Sequence, residues 1–230
     1  MLAATTFGCA AETDDEPFED TEEAVGYSRL GVDTNNATLD TGYAKSQGRD
    51  FVGRYLSFDG AHPALTAAEA QRLHAGGIAI FAIWEVSKYR PVEGGTVKKA
   101  HANGVADAKA AQQKLREVGA GGKPVYFTVD FEPNWQKQGD QILAYFDGID
   151  SVLGVNQTGV YGTYVSVKNL FDHGKVHYGW QMTFGAKGKQ IDPRAQLRQH
   201  DIYPAQNGWG VSGAGALDLD RAVKKDFGQW

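Results

Sequence analysis

The sequence lacks the short signatures that assign many proteins to a class at once. Its 230 residues contain one cysteine, Cys9, so no disulfide can form within the chain. There is no uninterrupted run of about 18 apolar residues, so no membrane-spanning helix is predicted. Zinc-ligand spacings, a Walker loop and a G-x-G-x-x-G fingerprint are all missing, and the six histidines show no ligand spacing. We therefore expect neither a metal nor another cofactor.

Basic residues are missing from the first 28 positions, which hold eight of the 28 acids and none of the 23 bases. Such an acidic segment of low hydrophobicity is typical of a disordered linker. The rest of the chain is close to neutral and has no basic stripe, which argues against nucleic acid as a partner. We predict that residues 1–28 are a signal remnant and acidic linker and that residues 29–230 form one domain.

The first nine residues, "MLAATTFGC", place small residues before Gly8 and Cys9. This pattern resembles the end of a bacterial lipoprotein signal, in which the cysteine becomes the lipidated first residue. The alternative is a disordered N-terminus in which the cysteine is incidental. The first interpretation predicts a secreted or cell-envelope protein that contacts the membrane only through a lipid anchor at Cys9.

Beyond the linker, short apolar runs alternate with helical patterns. Helices are predicted at 65–77, 101–118 and 138–153, with a short one ending near Phe171. Buried strands that alternate with helices favour an α/β fold, a TIM-like (β/α)8 barrel, with a doubly wound open sheet as the alternative. The last third has little predicted helix, so the barrel should be irregular there. Eight strands are predicted, at 30–34, 51–56, 78–85, 125–132, 158–162, 177–182, 196–200 and 216–219.

The fourth predicted strand, "PVYFTVDFE", ends in two carboxylates one residue apart, Asp130 and Glu132. Alternate side chains of a strand share a face, so both acids should point the same way. Barrel enzymes carry their functional groups at the C-terminal ends of the strands. Other polar and aromatic residues fall at predicted strand ends and should converge on the same mouth: Asp33, Arg54, Glu85, Tyr161, Trp180, Gln181, Gln199 and Asp218.

Paired carboxyl groups suit glycoside hydrolysis, because one of them must be protonated and a neighbouring negative charge raises its pKa. Positions i and i+2 of a strand lie about 6.6 Å apart, between the retaining and inverting separations, and for N-acetylated sugars a substrate-assisted route is also open. Each residue has a structural alternative. Asp130 and Glu132 could be a salt-bridge partner and a surface acid, Asp33 could pair only with Arg54, and a metal site at Asp33, Asp130 and Glu132 is a minor alternative.

Eight segments occur in an order that resembles the Rv2525c-like glycoside hydrolase-like domain family, which is related to the glycoside hydrolase family 25 (GH25) lysozymes. They span about Gly31 to Arg221: "GVDT", "FVGRYL", "LTAAEAQRLHAGGIAIFAIWE", "GVADAKAA", "PVYFTVDFE", "GVYGTY", "GWQM" and "ALDLD". The resemblance implies a TIM-like barrel of bacterial envelopes. It also implies that the D-x-E is catalytic, with Glu132 as proton donor, and that Asp33 and Asp218 line the groove.

Two functions are compatible with these observations. The first is a monomeric glycosidase that acts on cell-wall glycan of the peptidoglycan type, with Glu132 as general acid and Asp130 as assisting carboxylate. Its substrate-binding residues are predicted to include Tyr161 and Trp180, which would stack on sugar rings. The second function is a barrel that binds envelope glycan without cleaving it. The paired acids favour the first, because a binding protein does not need them.

Overall fold

Eight strands close into a barrel in the computed structural model, which describes residues 27–56, 63–183, 190–203, 209–210 and 217–230. Predictions that concern Cys9 and the acidic linker lie outside the described residues, apart from the linker's last two positions. In chain order the strands are β1 (Arg29–Thr34), β2 (Arg49–Tyr55), β3 (Ala79–Trp84), β4 (Val125–Val129), β5 (Thr158–Gly162), β6 (Tyr178–Met182), β7 (Leu197–Tyr203) and β8 (Leu217–Ala222).

The predicted TIM-like barrel is confirmed, with its irregularity in the C-terminal third. Strands β1 to β7 pair in parallel with their sequential neighbours, whereas β8 is antiparallel to both β7 and β1. Within the described residues, no helix lies between β6 and β7. The antiparallel pairing of β7 with β8 needs no crossover helix, unlike the parallel pairing of β6 with β7.

The described residues contain five α-helices on the outside of the barrel: α1 (Thr41–Ser46), α2 (Ala67–Ala75), α3 (Val97–Glu117), α4 (Trp135–Leu153) and α5 (Tyr164–Asp172). Asp40, Thr66, Thr96 and Asn134 cap the first four, each side chain accepting a backbone N–H of the first turn. Because of these caps, α3 and α4 begin three or four residues earlier than the apolar periodicity predicts. The short α1 was not predicted. No helix in the described part of the chain is long and apolar enough to cross a membrane.

Aromatic rings fill the barrel, and glycines on neighbouring strands make room for them. A Cβ atom at Gly31 would lie 2.2 Å from the Phe51 ring, and one at Gly53 would lie 2.4 Å from the Phe81 ring. The C-terminal segment closes the N-terminal end of the barrel: Phe227 is fully buried and its ring centroid lies 4.8 Å from that of Phe51. This end is therefore packed, which leaves the C-terminal ends of the strands as the open mouth.

Candidate active site

The two acids of the D-x-E follow β4 rather than belonging to it. The strand ends at Val129, so the prediction that it extends to Glu132 is wrong. Proline cannot donate a ladder hydrogen bond and Asn134 already caps α4, so the chain leaves the sheet before Pro133. Asp130 is half-buried, whereas Glu132 is exposed. The strand alternation that was expected to align both side chains therefore does not apply to Glu132.

Two adjoining cavities open at the mouth of the barrel. The inner cavity, of about 230 Å³, is lined by one residue from, or directly after, each of the seven strands β2 to β8: Tyr55, Glu85, Asp130, Tyr161, Met182, Gln199 and Asp218. The outer cavity, of about 580 Å³, is lined by Lys88, Tyr89, Asp130, Phe131, Glu132, Gln138, Thr163 and Met182. Asp130 and Met182 line both cavities, so the D-x-E segment lies where they meet.

A hydrogen-bonded chain connects the strand ends at the inner cavity. Asp33 and Asp218 are paired residues of β1 and β8. The Nε2 group of Gln199 donates to Asp33 Oδ2 at 2.7 Å and to Asp218 Oδ2 at 3.2 Å. The Tyr161 hydroxyl donates to Gln199 Oε1 at 2.6 Å, which fixes the orientation of the amide. The geometry therefore brings the predicted Asp33, Tyr161 and Asp218 together through a glutamine.

A third aspartate lies below Asp33, toward the barrel interior. Asp220 is fully buried and its Oδ1 accepts the Trp180 indole N–H at 2.8 Å. Burial and the neighbouring Asp33 raise the pKa of Asp220 well above its ordinary value. Burial, followed by the charge of Asp218, raises the pKa of Asp33 to about 8. Asp33 is therefore mostly protonated at neutral pH, and the shift at Asp220 also favours the protonated form, because two adjacent charges in this environment would be poorly solvated.

Two tyrosines complete the inner cavity. Burial and the surrounding carboxylates raise the pKa of both Tyr55 and Tyr161 well above 10. Both phenols therefore stay protonated at physiological pH, and Tyr161 remains a hydrogen-bond donor.

Besides Asp33, three of the predicted substrate-binding residues line neither cavity. Arg54 is fully buried, and its guanidinium bonds Glu69 on α2 at 2.6 and 3.3 Å as well as the carbonyl oxygen of Thr34. Trp180 is 1% exposed in the barrel interior. Gln181 is also buried, and its amide bonds the backbone of Gln190 and Asp192. Their positions indicate roles in the structure rather than in substrate binding.

Alternation along the strands explains both these positions and the cavity residues that were not predicted. Gly53 and Tyr55 face the barrel interior, so Arg54 between them must face outward to α2. Tyr55 and Asp220 were not predicted as site residues, although the same parity rule applied to "FVGRY" and "LDLDR" would have found them. Gln199 was noted at a strand end but was not assigned to the site.

Nothing in the described residues indicates a metal centre, because they contain no group of three or more His, Cys, Asp or Glu side chains arranged to hold an ion. Apart from Lys88, whose Nζ lies 3.7 Å from Asp130 Oδ2, the charged residues that line the two cavities are acids. The arrangement suits proton transfer and recognition of polar, uncharged groups such as sugar hydroxyls.

Comparisons with known proteins identify one matching sequence family and several solved structures that superpose on this barrel. Residues 43–222 match the family described as "Rv2525c-like, glycoside hydrolase-like domain". The Mycobacterium tuberculosis protein named "Putative peptidoglycan hydrolase Rv2525c" is 30% identical over 171 residues, which cover 71% of this chain and 65% of that protein. The chain thus spans slightly less than two thirds of this relative.

Two solved structures show the same fold. The crystal structure of the M. tuberculosis Tat-secreted protein Rv2525c in complex with L-tartrate superposes with a TM-score of 0.77 at 23% identity, covering 88% of this chain and 98% of that one. A glycosyl hydrolase 25 of Streptococcus pneumoniae, described as a virulence factor, superposes with a TM-score of 0.52 at 15% identity, covering 84% and 86%.

Proposed function

Because the chain belongs to the Rv2525c-like, glycoside hydrolase-like domain family, we propose that it hydrolyses glycosidic bonds of bacterial peptidoglycan. Glu132 acts as the general acid and Asp130 as the assisting carboxylate. The observation that carries this proposal is the position of the D-x-E segment. It leaves β4 at the junction of two cavities at the open end of the barrel, where such folds hold their active sites.

The two acids differ in their surroundings, and this difference supports the division of roles. Asp130 is half-buried and lies 3.7 Å from the Lys88 ammonium, which attracts its negative charge. It is therefore suited to stabilise the positive charge that develops on the sugar or on its acetamido group in the transition state. Glu132 is exposed to the outer cavity, from which it can reach a glycosidic oxygen and donate a proton to the leaving group.

Replacing Glu132 tests the assignment. Glu132→Gln keeps the shape of the side chain but cannot donate a proton as an acid, so turnover of purified peptidoglycan should fall at least ~100-fold while binding is retained. Asp130→Asn should also lower turnover. Glu117→Gln, an exposed glutamate at the end of α3, is the matched control and should be as active as wild type. Full activity of Glu132→Gln would show that the acid is a different residue.

The second candidate is a glycan-binding barrel without catalysis. The observation in its favour is that Glu132 is exposed, whereas the deeply buried acids, Asp33 and Asp220, are hydrogen-bonded to Gln199 and Trp180 within the barrel. Wild-type protein that binds peptidoglycan fragments but releases no new reducing ends under any condition would establish this function instead.

We also propose that the protein is exported and works in the cell envelope as a monomer, with peptidoglycan as its partner. Two facts support export: the related M. tuberculosis protein is described as Tat-secreted, and the first residues resemble a lipoprotein signal that ends at Cys9. A lipid on Cys9, followed by the acidic linker, would tether the barrel to a membrane while leaving its mouth free to reach glycan.

A further inference from the structure

The outer cavity contains an exposed aromatic residue that the sequence did not point to. Tyr89 is 56% exposed, in contrast to Tyr161 and Trp180, which are 7% and 1% exposed. The two rings that were predicted to stack on sugars thus expose little surface, with only the edge of Tyr161 at the inner cavity, whereas Tyr89 is largely exposed and lines the cavity that holds Glu132. A large exposed aromatic side chain beside a site is a candidate for binding.

Tyr89 is supported from behind by a second ring. The centroids of Tyr89 and Phe131 lie 5.2 Å apart at an interplanar angle of 50°. Phe131 is the middle residue of the D-x-E segment and is half-buried. This pair of rings, which we call the Tyr89 platform, therefore connects the loop after β3 directly to the backbone that carries the two acids.

The backbone next to Tyr89 is held by an ion-pair network. Arg90 bonds both carboxylate oxygens of Asp107 on α3, each at 2.9 Å, and Asp107 is 3% exposed. The Tyr145 hydroxyl of α4 donates to the same carboxylate at 2.9 Å. The side-chain amide of Asn103 donates to two backbone carbonyls of the same segment, that of Arg90 at 3.5 Å and that of Glu93 at 3.3 Å. This network fixes the backbone beside Tyr89 on α3 and α4, as a positioned binding residue requires.

The helices that supply this network are themselves closely packed. A Cβ atom at Gly104 of α3 would lie 2.0 Å from the Tyr145 carbonyl oxygen, and one at Gly148 of α4 would lie 2.2 Å from the His101 carbonyl oxygen. These glycines allow the two backbones to approach closely. This close packing fixes the relative position of the two helices that hold Arg90, and with it the backbone of Tyr89, which favours preorganised binding.

We propose that the exposed face of Tyr89 is a stacking subsite for a pyranose ring of the glycan, in the same cavity as Glu132. The inference rests on the proposed function, which supplies the sugar. An aromatic face packs against the axial C–H groups of a pyranose ring, while the hydroxyl and acetamido groups at the ring's edge turn to polar side chains. Lys88, Gln138 and Thr163 line the same cavity and offer such partners.

Binding of a soluble peptidoglycan tetrasaccharide of alternating N-acetylglucosamine and N-acetylmuramic acid tests the subsite. Calorimetric titrations compare Tyr89 variants in a Glu132→Gln background, which prevents consumption of the probe. Tyr89→Ala should weaken binding about 10-fold, the scale at which loss of an aromatic anchor is felt. Tyr89→Phe keeps the ring and should bind within about 2-fold of the parent, as should Val97→Ala, an exposed apolar control at the start of α3.

Two further measurements separate stacking from structural support. Tyr89→Leu can still cover Phe131 but presents no flat ring, so it should keep the parent melting temperature and lose binding as Tyr89→Ala does. Saturation-transfer NMR should show strong transfer to the axial sugar protons of one ring in the parent and in Tyr89→Phe, but not in Tyr89→Leu.

Unchanged affinity of Tyr89→Ala and Tyr89→Leu would overturn the subsite, as would failure of the parent to bind the probe. The two proposals fail in different assays. If Glu132→Gln cleaves peptidoglycan as fast as wild type, the assignment of the acid fails while an effect of Tyr89 on affinity still stands. If Tyr89 has no effect on affinity but Glu132→Gln is inactive, only the subsite is refuted.

Discussion

Replacing Asp33 by asparagine should make the fold more stable at alkaline pH and flatten the dependence of its stability on pH. Asp33 is 3% exposed, and burial together with the charge of Asp218 raises its pKa from 3.8 to about 8. In the unfolded chain the same carboxyl group loses its proton near its ordinary pKa. Between these two values the folded protein holds one proton more than the unfolded chain at this residue.

The sign and size of the effect follow from proton linkage. A folded pKa above the unfolded one means that the contribution to stability is complete below about pH 4 and is lost as the pH rises toward 8. One extra proton bound in the folded state lowers the free energy of unfolding by about 1.36 kcal/mol for each pH unit. From pH 5 to pH 7 the contribution of Asp33 therefore falls by about 2.7 kcal/mol. A neutral asparagine side chain at this position would remove the loss, because it does not titrate and its amide can still bond Gln199 and Asp220.

Urea unfolding at pH 5, 6, 7 and 8 measures the effect, with the difference between wild type and variant taken at each pH so that other titrating groups cancel. The variant should gain stability relative to wild type as the pH rises. Asp140→Asn, an exposed aspartate of α4, is the control and should follow the wild-type slope. Equal slopes for wild type and Asp33→Asn would mean that Asp33 is ionised in the folded protein, which would refute the description of the buried acids given above.

Three other changes test separate parts of the structure. Trp180→Ala should lower the free energy of unfolding by about 3–5 kcal/mol, because it leaves a cavity in the barrel interior and removes the indole donor of Asp220. Thermal melts that match wild type would show that Trp180 is not a core residue, and its predicted role in sugar binding would stand. Asp107→Asn should lower the free energy of unfolding by about 3 kcal/mol, since it leaves Arg90 and Tyr145 without their carboxylate. Unchanged urea midpoints would show that other contacts hold the loop that carries Tyr89 and Arg90. Cys9→Ser in a precursor expressed in bacteria should abolish membrane association, and unchanged fractionation would exclude the lipid anchor.

Strand count and barrel class could be predicted because they depend on local patterns. Continuous apolar runs such as "IAIFAIW" mark strands that are buried on both faces, and helix caps such as Thr66 mark where the outer helices begin. The reversed direction of β8 could not be predicted from its own sequence. A strand of a given pattern can pair in either direction, and the direction is set by the length and path of the connection before it.

Site residues were predictable only where the direction of each side chain was considered. A charged residue near a strand end suggests a site residue, yet Arg54 faces α2 and forms an ion pair with Glu69, 15 positions later in the chain. The residue that faces the cavity from β2 is its neighbour Tyr55. The Tyr89 platform could not be predicted from sequence for another reason. It depends on a loop whose position is fixed by contacts with α3 and α4, and local sequence patterns do not indicate such contacts.

The acids at the mouth lie at two depths, so either the buried or the exposed acids could determine the pH profile of activity. Asp33 and Asp220 are buried and their pKa values are raised, whereas Asp130 and Glu132 line the outer cavity and are half-buried and exposed, respectively. A fall in activity near pH 8 would ordinarily be assigned to a general acid that loses its proton. Here Asp33, with a pKa of about 8, would produce the same limb by placing a charge in the hydrogen-bonded chain through Gln199. If the alkaline limb disappears in Asp33→Asn, it belongs to the barrel interior; if it persists, the proton that is lost is that of another group.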